Sequence, residues 1–115
     1  MSRYDEFQAF RTELNEKILA RATLTTKRFF TLDEKAYDDG ALDRKTKELL
    51  GLTASLVLRC DDCVAYHLDQ CVQRGSTDEE ILEAMDVGLV VGGSIVIPHL
   101  RRAVAFLEEC RDRRG

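Results

Sequence analysis

The residues best suited to chemistry in this 115-residue chain lie in one short stretch, Arg59 to His67. Cys60 and Cys63 are three residues apart, and His67 follows four residues after Cys63. In a helix, residues three or four apart share a face, and side chains lean toward the N-terminus, so His67 would reach back toward Cys63. Two thiols with an imidazole one turn away indicate a redox centre.

The predicted helix start affects both thiols. If Cys60 lies near the N-cap, free backbone N–H groups and the positive end of the helix dipole favour the thiolate. Arg59 acts in the same direction, whereas Asp61 and Asp62 oppose it by like-charge repulsion. The sequence leaves the net effect open, and His67 is the candidate for taking or giving the proton.

Two other interpretations of the cysteines compete with a redox pair. Cys-x-x-Cys with a histidine is zinc-ligand chemistry, but Cys60 and Cys71 would lie about 16 Å apart along a helix, too far for one ion. His99, Cys110 and carboxylates would have to complete such a site. Cys71 and Cys110 lack a partner in the sequence, so we expect them in the core, and we predict neither a metal nor a cofactor.

Glu48 is the other candidate for a role in the site. It is in line with Leu52 and Ser55 on the preceding helix, on a face that could be partly buried. If the chain folds back after this helix, Glu48 and His67 lie opposite each other. A carboxylate there would orient the imidazole and keep it basic. An ordinary solvated glutamate is the alternative.

Apolar spacing, helix caps and glycine stops predict an all-α chain of five to six helices. The segments cover about residues 2–21, 25–37, 44–58, 60–74, 77–91 and 94–111. Asp43 and Ser94 are the expected N-caps of the third and sixth helices. Thr77 and Glu80 form a capping box for the fifth, and Gly75 ends the fourth.

Apolar residues indicate which helix faces are buried. We expect the first helix to pack one stripe, the second to offer several residues for burial, and the third to be buried over most of its girth. The stripe consists of Tyr4, Phe7, Phe10, Leu14 and Ile18, and the second helix offers Phe29, Phe30, Leu32 and Ala36. The stretch from residue 88 to 97 is predicted to be core or a subunit interface, with a buried strand as the competing interpretation.

Composition and charge limit the function classes. A hydrophobic fraction of 44% and a charged fraction of 33% are typical of a soluble globular protein, and a net charge of −4 gives no attraction for nucleic acid or membrane. The sequence has neither an apolar run of membrane-spanning length nor a secretory signal. We therefore expect a single cytoplasmic domain over residues 1–115, with disulfides that are catalytic rather than structural.

The chain resembles the alkyl hydroperoxidase D and carboxymuconolactone decarboxylase family. The similarity covers roughly residues 40–107 and lies in the motifs Leu42-Asp43-Arg44-Lys45-Thr46-Lys47-Glu48-Leu49, Cys60-Asp61-Asp62-Cys63, His67, Gly75 and the helix start Thr77–Ile81. The paired cysteines place the chain nearer to the peroxidase branch than to the decarboxylase branch. The resemblance implies an all-helical bundle assembled as a homo-oligomer, a trimer or a hexamer.

The resemblance also implies roles for single residues. Cys63 would be the peroxidatic thiol, Cys60 the resolving thiol and proton donor, and His67 and Glu48 the proton relay. We expect a thiol-dependent peroxidase, an antioxidant oxidoreductase, or a disulfide reductase. Its partners would be a hydroperoxide and a dithiol reductant such as a lipoyl group or a thioredoxin-like protein. The alternatives are a non-enzymatic thiol sensor, a metal-binding helical oligomer, and a lyase or decarboxylase-like enzyme of the same superfamily.

Overall fold

The chain folds into six α-helices, described by a computed structural model for residues 2–114. They are α1 (Arg3–Arg21), α2 (Leu24–Ala36), α3 (Arg44–Val57), α4 (Asp61–Gln73), α5 (Asp78–Gly92) and α6 (Ile97–Arg114), with a 3-10 turn over Ser94–Val96. Residues 2–114 contain no strand, so the all-α prediction is confirmed and the strand alternative is wrong. The predicted domain also included Met1 and Gly115, which lie outside the described residues.

Most predicted helix ends agree with the structure because the sequence carries their caps. The Asp43 carboxylate accepts a backbone N–H at 2.8 Å. Thr77 and Glu80 make both halves of the capping box, at 3.1 and 2.9 Å. Ser94 is the exception: it is the first residue of the 3-10 turn, whose N-cap is Gly93, and α6 begins three residues later at Ile97.

The core lies between α3, α4, α5 and α6. Its fully buried large side chains include Leu52, Leu56, Leu68, Ile81, Met85, Val96 and Phe106. The predicted burial of α2 is wrong, because Phe29 and Leu32 are each 66% exposed and no residue of α2 is buried. The prediction for α3 is also wrong: one face is buried, whereas Leu50 and Leu58 on the other are largely exposed.

The apolar stretch from residue 88 to 97 lies largely on the surface. Val90 is 83% exposed, Val91 69% and Ile95 57%, whereas Gly88 and Val96 are buried. Core packing therefore does not account for this stretch, and the subunit interface stays a prediction. None of the helices within residues 2–114 combines the length and the apolarity needed to cross a membrane.

A buried carboxylate, Asp69, fastens α1 and the end of α6 to α4. It is 4% exposed and accepts hydrogen bonds from Tyr4, Gln8 and Gln73 at 3.0–3.2 Å. Arg114 donates two more, at 2.7 and 3.1 Å. Burial, and after it the Asp69 charge, raises the pKa of Tyr4. Because a buried charge must be paired, this network fixes where α1 lies on the bundle.

The turn between α3 and α4 places the cysteines. The Cys60 N–H donates to the Ser55 carbonyl at 3.1 Å and the Arg59 N–H to the Leu56 carbonyl at 3.0 Å. This pattern is a Schellman cap, which needs a left-handed residue, and Arg59 takes that place with a φ of 58°. Gly75 has the same place after α4, with a φ of 84°. The same residues that cap α3 thus place Cys60 at the N-cap of α4.

Replacing Arg59 with glycine should stabilise the protein. The backbone of a residue other than glycine is strained at positive φ. Arg59→Gly should therefore raise the free energy of unfolding by about 1 kcal/mol. Chemical denaturation under reducing conditions measures the change. Arg74→Gly is the matched control, because this exposed arginine ends α4 with a φ of −90° and the substitution should lower stability. A loss of stability in Arg59→Gly would show that the arginine side chain outweighs the strain.

Candidate functional site

Cys60 and Cys63 form a disulfide at the start of α4. Cys60 is the N-cap, and its sulfur accepts the N–H of Cys63 at 3.2 Å. The two Cα atoms are 5.2 Å apart, a separation common to disulfides and to neighbouring turns of a helix. Cys63 is exposed and Cys60 is half-buried. The first turn of α4 therefore accommodates the bonded pair in a regular helical backbone.

The structure brings Glu48 of α3 and His67 of α4 together. Glu48 Oε1 lies 2.8 Å from His67 Nδ1, and both side chains are buried. Glu48 is completely inaccessible, so the alternative of a solvated glutamate is wrong. A carboxylate on Nδ1 fixes the imidazole ring and leaves Nε2 as the nitrogen that can exchange a proton.

Two further groups complete this arrangement. Arg44 Nε donates to Glu48 Oε2 at 3.0 Å, so both carboxylate oxygens have partners. The Tyr37 hydroxyl lies 3.4 Å from His67 Nε2. Burial, followed by the charge of Glu48, raises the pKa of Tyr37. The sequence analysis missed both residues. The i,i+4 spacing of Arg44 and Glu48 was a usable signal, whereas Tyr37 comes from the loop after α2 and gave none.

A pocket of about 400 Å³ opens beside Cys63 and His67. One wall is the apolar stripe of α1, with Phe7, Phe10, Leu14 and Ile18, and Tyr66 contributes to another. This position explains why Phe10 is 61% exposed although we expected the stripe to pack. Of the two cysteines at the start of α4, Cys63 lines the pocket and Cys60 does not.

Charged and polar groups lie around this pocket. Arg11 stacks over the ring of Tyr66, with its guanidinium carbon 4.5 Å from the ring centre. Asp33 and Asp62 are also on the lining. Burial raises the pKa of the Tyr66 hydroxyl, and the charge of Glu48 acts in the same direction. The pocket is therefore apolar along α1 and carries two carboxylates against one guanidinium elsewhere.

Gly51 makes room for the imidazole. A Cβ atom on this residue of α3 would lie 2.6–2.8 Å from three atoms of the His67 ring. Contacts that short do not occur between packed side chains, so the ring occupies space that only glycine leaves free. The sequence analysis gave Gly51 no role, because a glycine within a helix carries no signal of what packs over it.

The remaining cysteines and the second histidine lie apart from this pocket. Cys71 and Cys110 are buried, as expected, and burial raises the pKa of each thiol to about 12. His99 of α6 bonds to Asp61 through Nδ1 at 2.8 Å. Within the described part of the chain, no three side chains among His, Cys, Asp and Glu are grouped as metal ligands would be.

An all-helical chain with a disulfide at a helix start and a buried Glu–His pair behind it agrees with the family that its motifs resemble. The chain belongs to the carboxymuconolactone decarboxylase family, whose model matches residues 23–108. The match begins at the cap of α2 and reaches into α6, so it contains every residue of the site except those of α1.

Two solved structures of this family resemble the chain, and a curated protein is similar in sequence. A carboxymuconolactone decarboxylase family protein of Thermotoga maritima has a crystal structure with a TM-score of 0.89, 67% identity and coverage of 93% of this chain and 91% of that one. One from Legionella pneumophila has a TM-score of 0.88 at 26% identity, over 96% of this chain and 98% of that one. Uncharacterized protein 4 in the cox locus of Paracoccus denitrificans is 32% identical over 81 residues, 70% of this chain and 73% of that protein.

Filling the space at Gly51 should displace His67. In Gly51→Ala, the new methyl group would force the ring away, so the hydrogen bond from His67 Nδ1 to Glu48 should weaken or break. Nitrogen-15 NMR of the imidazole measures this directly, through the shift of Nδ1. Gly40→Ala is the matched control, because its Cβ would meet only Lys47 Nζ at an ordinary 3.7 Å. An unchanged His67 spectrum in Gly51→Ala would contradict the close packing.

Proposed function

We propose that this protein is a thiol-dependent peroxidase or a disulfide reductase that uses Cys60 and Cys63 as its redox pair. The observation that carries the proposal is that Cys63 and His67 line one pocket, while Cys60 is bonded to Cys63 from outside that lining. His67 is held by the buried Glu48. The pocket thus offers a substrate one sulfur and one imidazole.

The first step oxidises Cys63. Its thiolate attacks the distal oxygen of a hydroperoxide, the O–O bond breaks, and the sulfur becomes a sulfenic acid. The alkoxide leaves with a proton from His67 and departs as an alcohol. Glu48 orients the His67 ring for this transfer through its hydrogen bond with Nδ1. Arg44 keeps the Glu48 carboxylate in place by its own hydrogen bond.

Two further steps return the pair to its reduced form. Cys60 attacks the sulfenic sulfur of Cys63, the S–O bond breaks, and water leaves with the proton that Cys60 gives up. The product is the disulfide found in the structure. A dithiol, such as a lipoyl group or a thioredoxin-like protein, then attacks the exposed Cys63 sulfur and reduces the pair by exchange. If the protein is instead a disulfide reductase, the reduced Cys60 and Cys63 thiols reduce the substrate disulfide by the reverse of this exchange.

The apolar wall of α1 suggests what the substrate carries besides its peroxide. An organic group can lie against Phe7, Phe10 and Leu14, whereas hydrogen peroxide would gain nothing there. Asp33 and Asp62 outnumber Arg11 on the lining, so the site disfavours a carboxylate on the substrate. We therefore propose an uncharged organic hydroperoxide.

Assembly and cellular context are part of the same proposal. The Thermotoga maritima relative is described as a family protein with a possible part in an antioxidative response, which agrees with peroxide reduction. The exposed valines and isoleucines near the end of α5 support a homo-oligomer, a trimer or a hexamer. We propose a single cytoplasmic domain over residues 1–115.

Removing the Cys63 sulfur should abolish turnover. Cys63→Ser should reduce an organic hydroperoxide in the presence of dihydrolipoamide no faster than the reaction without protein, because the attacking thiolate is gone. Cys60→Ser should instead form a sulfenic acid on Cys63 that dimedone traps, visible by mass spectrometry. Cys71→Ala, at a buried thiol, is the control that should keep activity. Activity in Cys63→Ser would remove this residue from the mechanism.

Shortening the α1 wall should weaken the preference for organic peroxides. Phe10→Ala should lower kcat/KM for an aromatic hydroperoxide by about threefold to tenfold, through lost apolar contact, and leave hydrogen peroxide unaffected. Steady-state kinetics with both peroxides measure the ratio. Phe29→Ala removes a similarly exposed phenylalanine from α2, away from this pocket, and should change neither value. Equal losses for both peroxides in Phe10→Ala would contradict the proposed substrate class.

A further inference from the structure

A second His–carboxylate pair lies at the thiols, on the side formed by α6. His99 Nδ1 is 2.8 Å from Asp61 Oδ1, and Arg102 NH1 is 3.6 Å from Asp61 Oδ2. Asp61 directly follows Cys60 and is the first residue of α4. Both Asp61 oxygens therefore point to α6, and neither His99 nor Arg102 belongs to the pocket beside Cys63.

This arrangement resolves an electrostatic conflict in the sequence. A carboxylate in the same helical turn as two thiols disfavours their ionised forms, because like charges a few ångströms apart repel. The His99 hydrogen bond and the Arg102 ion pair draw the Asp61 charge onto α6 and partly offset it. Asp62, the other carboxylate of this turn, is exposed to water, where screening weakens its influence.

We propose that His99 is a positioning residue for the redox pair. By holding the Asp61 carboxylate on α6, it reduces the repulsion between the Asp61 charge and the Cys63 thiolate at the start of α4. Arg102 supports the same contact from the next turn of α6. The inference rests on the proposed function, because it concerns the thiolate that the peroxidase step needs. His99 touches neither the substrate pocket nor the sulfur that reacts; it acts through Asp61.

The test measures the Cys63 thiolate directly. In Cys60→Ser protein, a pH titration of the thiolate ultraviolet absorbance gives the fraction ionised. Adding His99→Leu should lower the thiolate fraction at neutral pH by about threefold to tenfold, since the Asp61 charge is released near the sulfur. His99→Gln keeps a hydrogen-bond donor, so its thiolate fraction should lie between that of Cys60→Ser alone and that of Cys60→Ser with His99→Leu. Arg102→Gln, at a mostly exposed side chain, should lower the fraction less than His99→Leu.

A double-mutant cycle separates this role from a structural one. With Asp61→Asn already present, His99→Leu should leave the thiolate fraction unchanged, because the charge that it would release is absent. A packing defect would instead lower the fraction in both backgrounds. Arg101→Gln, an exposed change on the same helix, is the control and should have no effect. The inference would be overturned if His99→Leu lowered the thiolate fraction equally with Asp61 and with Asp61→Asn, or changed it in neither background.

The outcome is independent of whether the peroxidase proposal holds. Peroxide turnover that fails in the unmodified protein would remove the peroxidase proposal and leave the thiolate titration interpretable. Conversely, normal turnover together with an unshifted titration in His99→Leu would remove the role of His99 alone. Arg102→Gln keeps the test available if His99→Leu does not fold, since an unshifted titration there would also contradict the inference.

Discussion

The buried carboxylate of Glu48 is the interaction on which the site depends. A charge with no access to water is tolerated only when it is fully paired, and removing one partner of such a group is costly. Glu48 meets this condition through Arg44 on its own helix and His67 on the next one. The pairing joins α3 to α4 at one place. Because His67 is one of the partners of the Glu48 carboxylate, the same contact also fixes the orientation of the imidazole.

The two sides of the site are fixed by different forces. The Schellman cap that ends α3 places Cys60 at the N-cap of α4, so it fixes the position of both sulfurs at the start of that helix. The apolar wall is held from a distance, through the Asp69 network that ties α1 and Arg114 to α4. Backbone hydrogen bonding thus places the reactive groups, and a buried ionic cluster places the surface that a substrate would meet.

The sequence predicted the parts of the fold that depend on local signals. The caps at Asp43 and Thr77 and the stop at Gly75 mark helix ends through their own side chains or lack of one, so those ends were recognisable. The end of α3 was predicted within one residue, although Arg59 occupies a position where glycine is usual. Burial of α2 was overestimated, because an apolar residue such as Phe29 shows only that burial is favourable, not that a partner surface exists.

The site was predictable to the extent that it follows helix periodicity. The spacing of Cys60, Cys63 and His67 puts them on one side of α4, and the hairpin of α3 and α4 brings Glu48 opposite. Contacts between distant segments were not readable in the same way. Tyr37 contacts His67 from the loop after α2, and His99 contacts Asp61 from the last helix. The clearance at Gly51 depends on the shape of its neighbour rather than on its own chemistry.

The burial of Cys71 and Cys110 has a consequence for the electron capacity of the molecule. With pKa values of about 12, these thiols are almost entirely protonated at neutral pH, and their surroundings exclude oxidants. In the proposed mechanism each chain therefore stores two electrons, in the pair at the start of α4, although its four cysteine thiols could in principle hold twice that number. Under that mechanism, oxidation of the thiols proceeds by one two-electron step and stops there, since Cys71 and Cys110 are both buried.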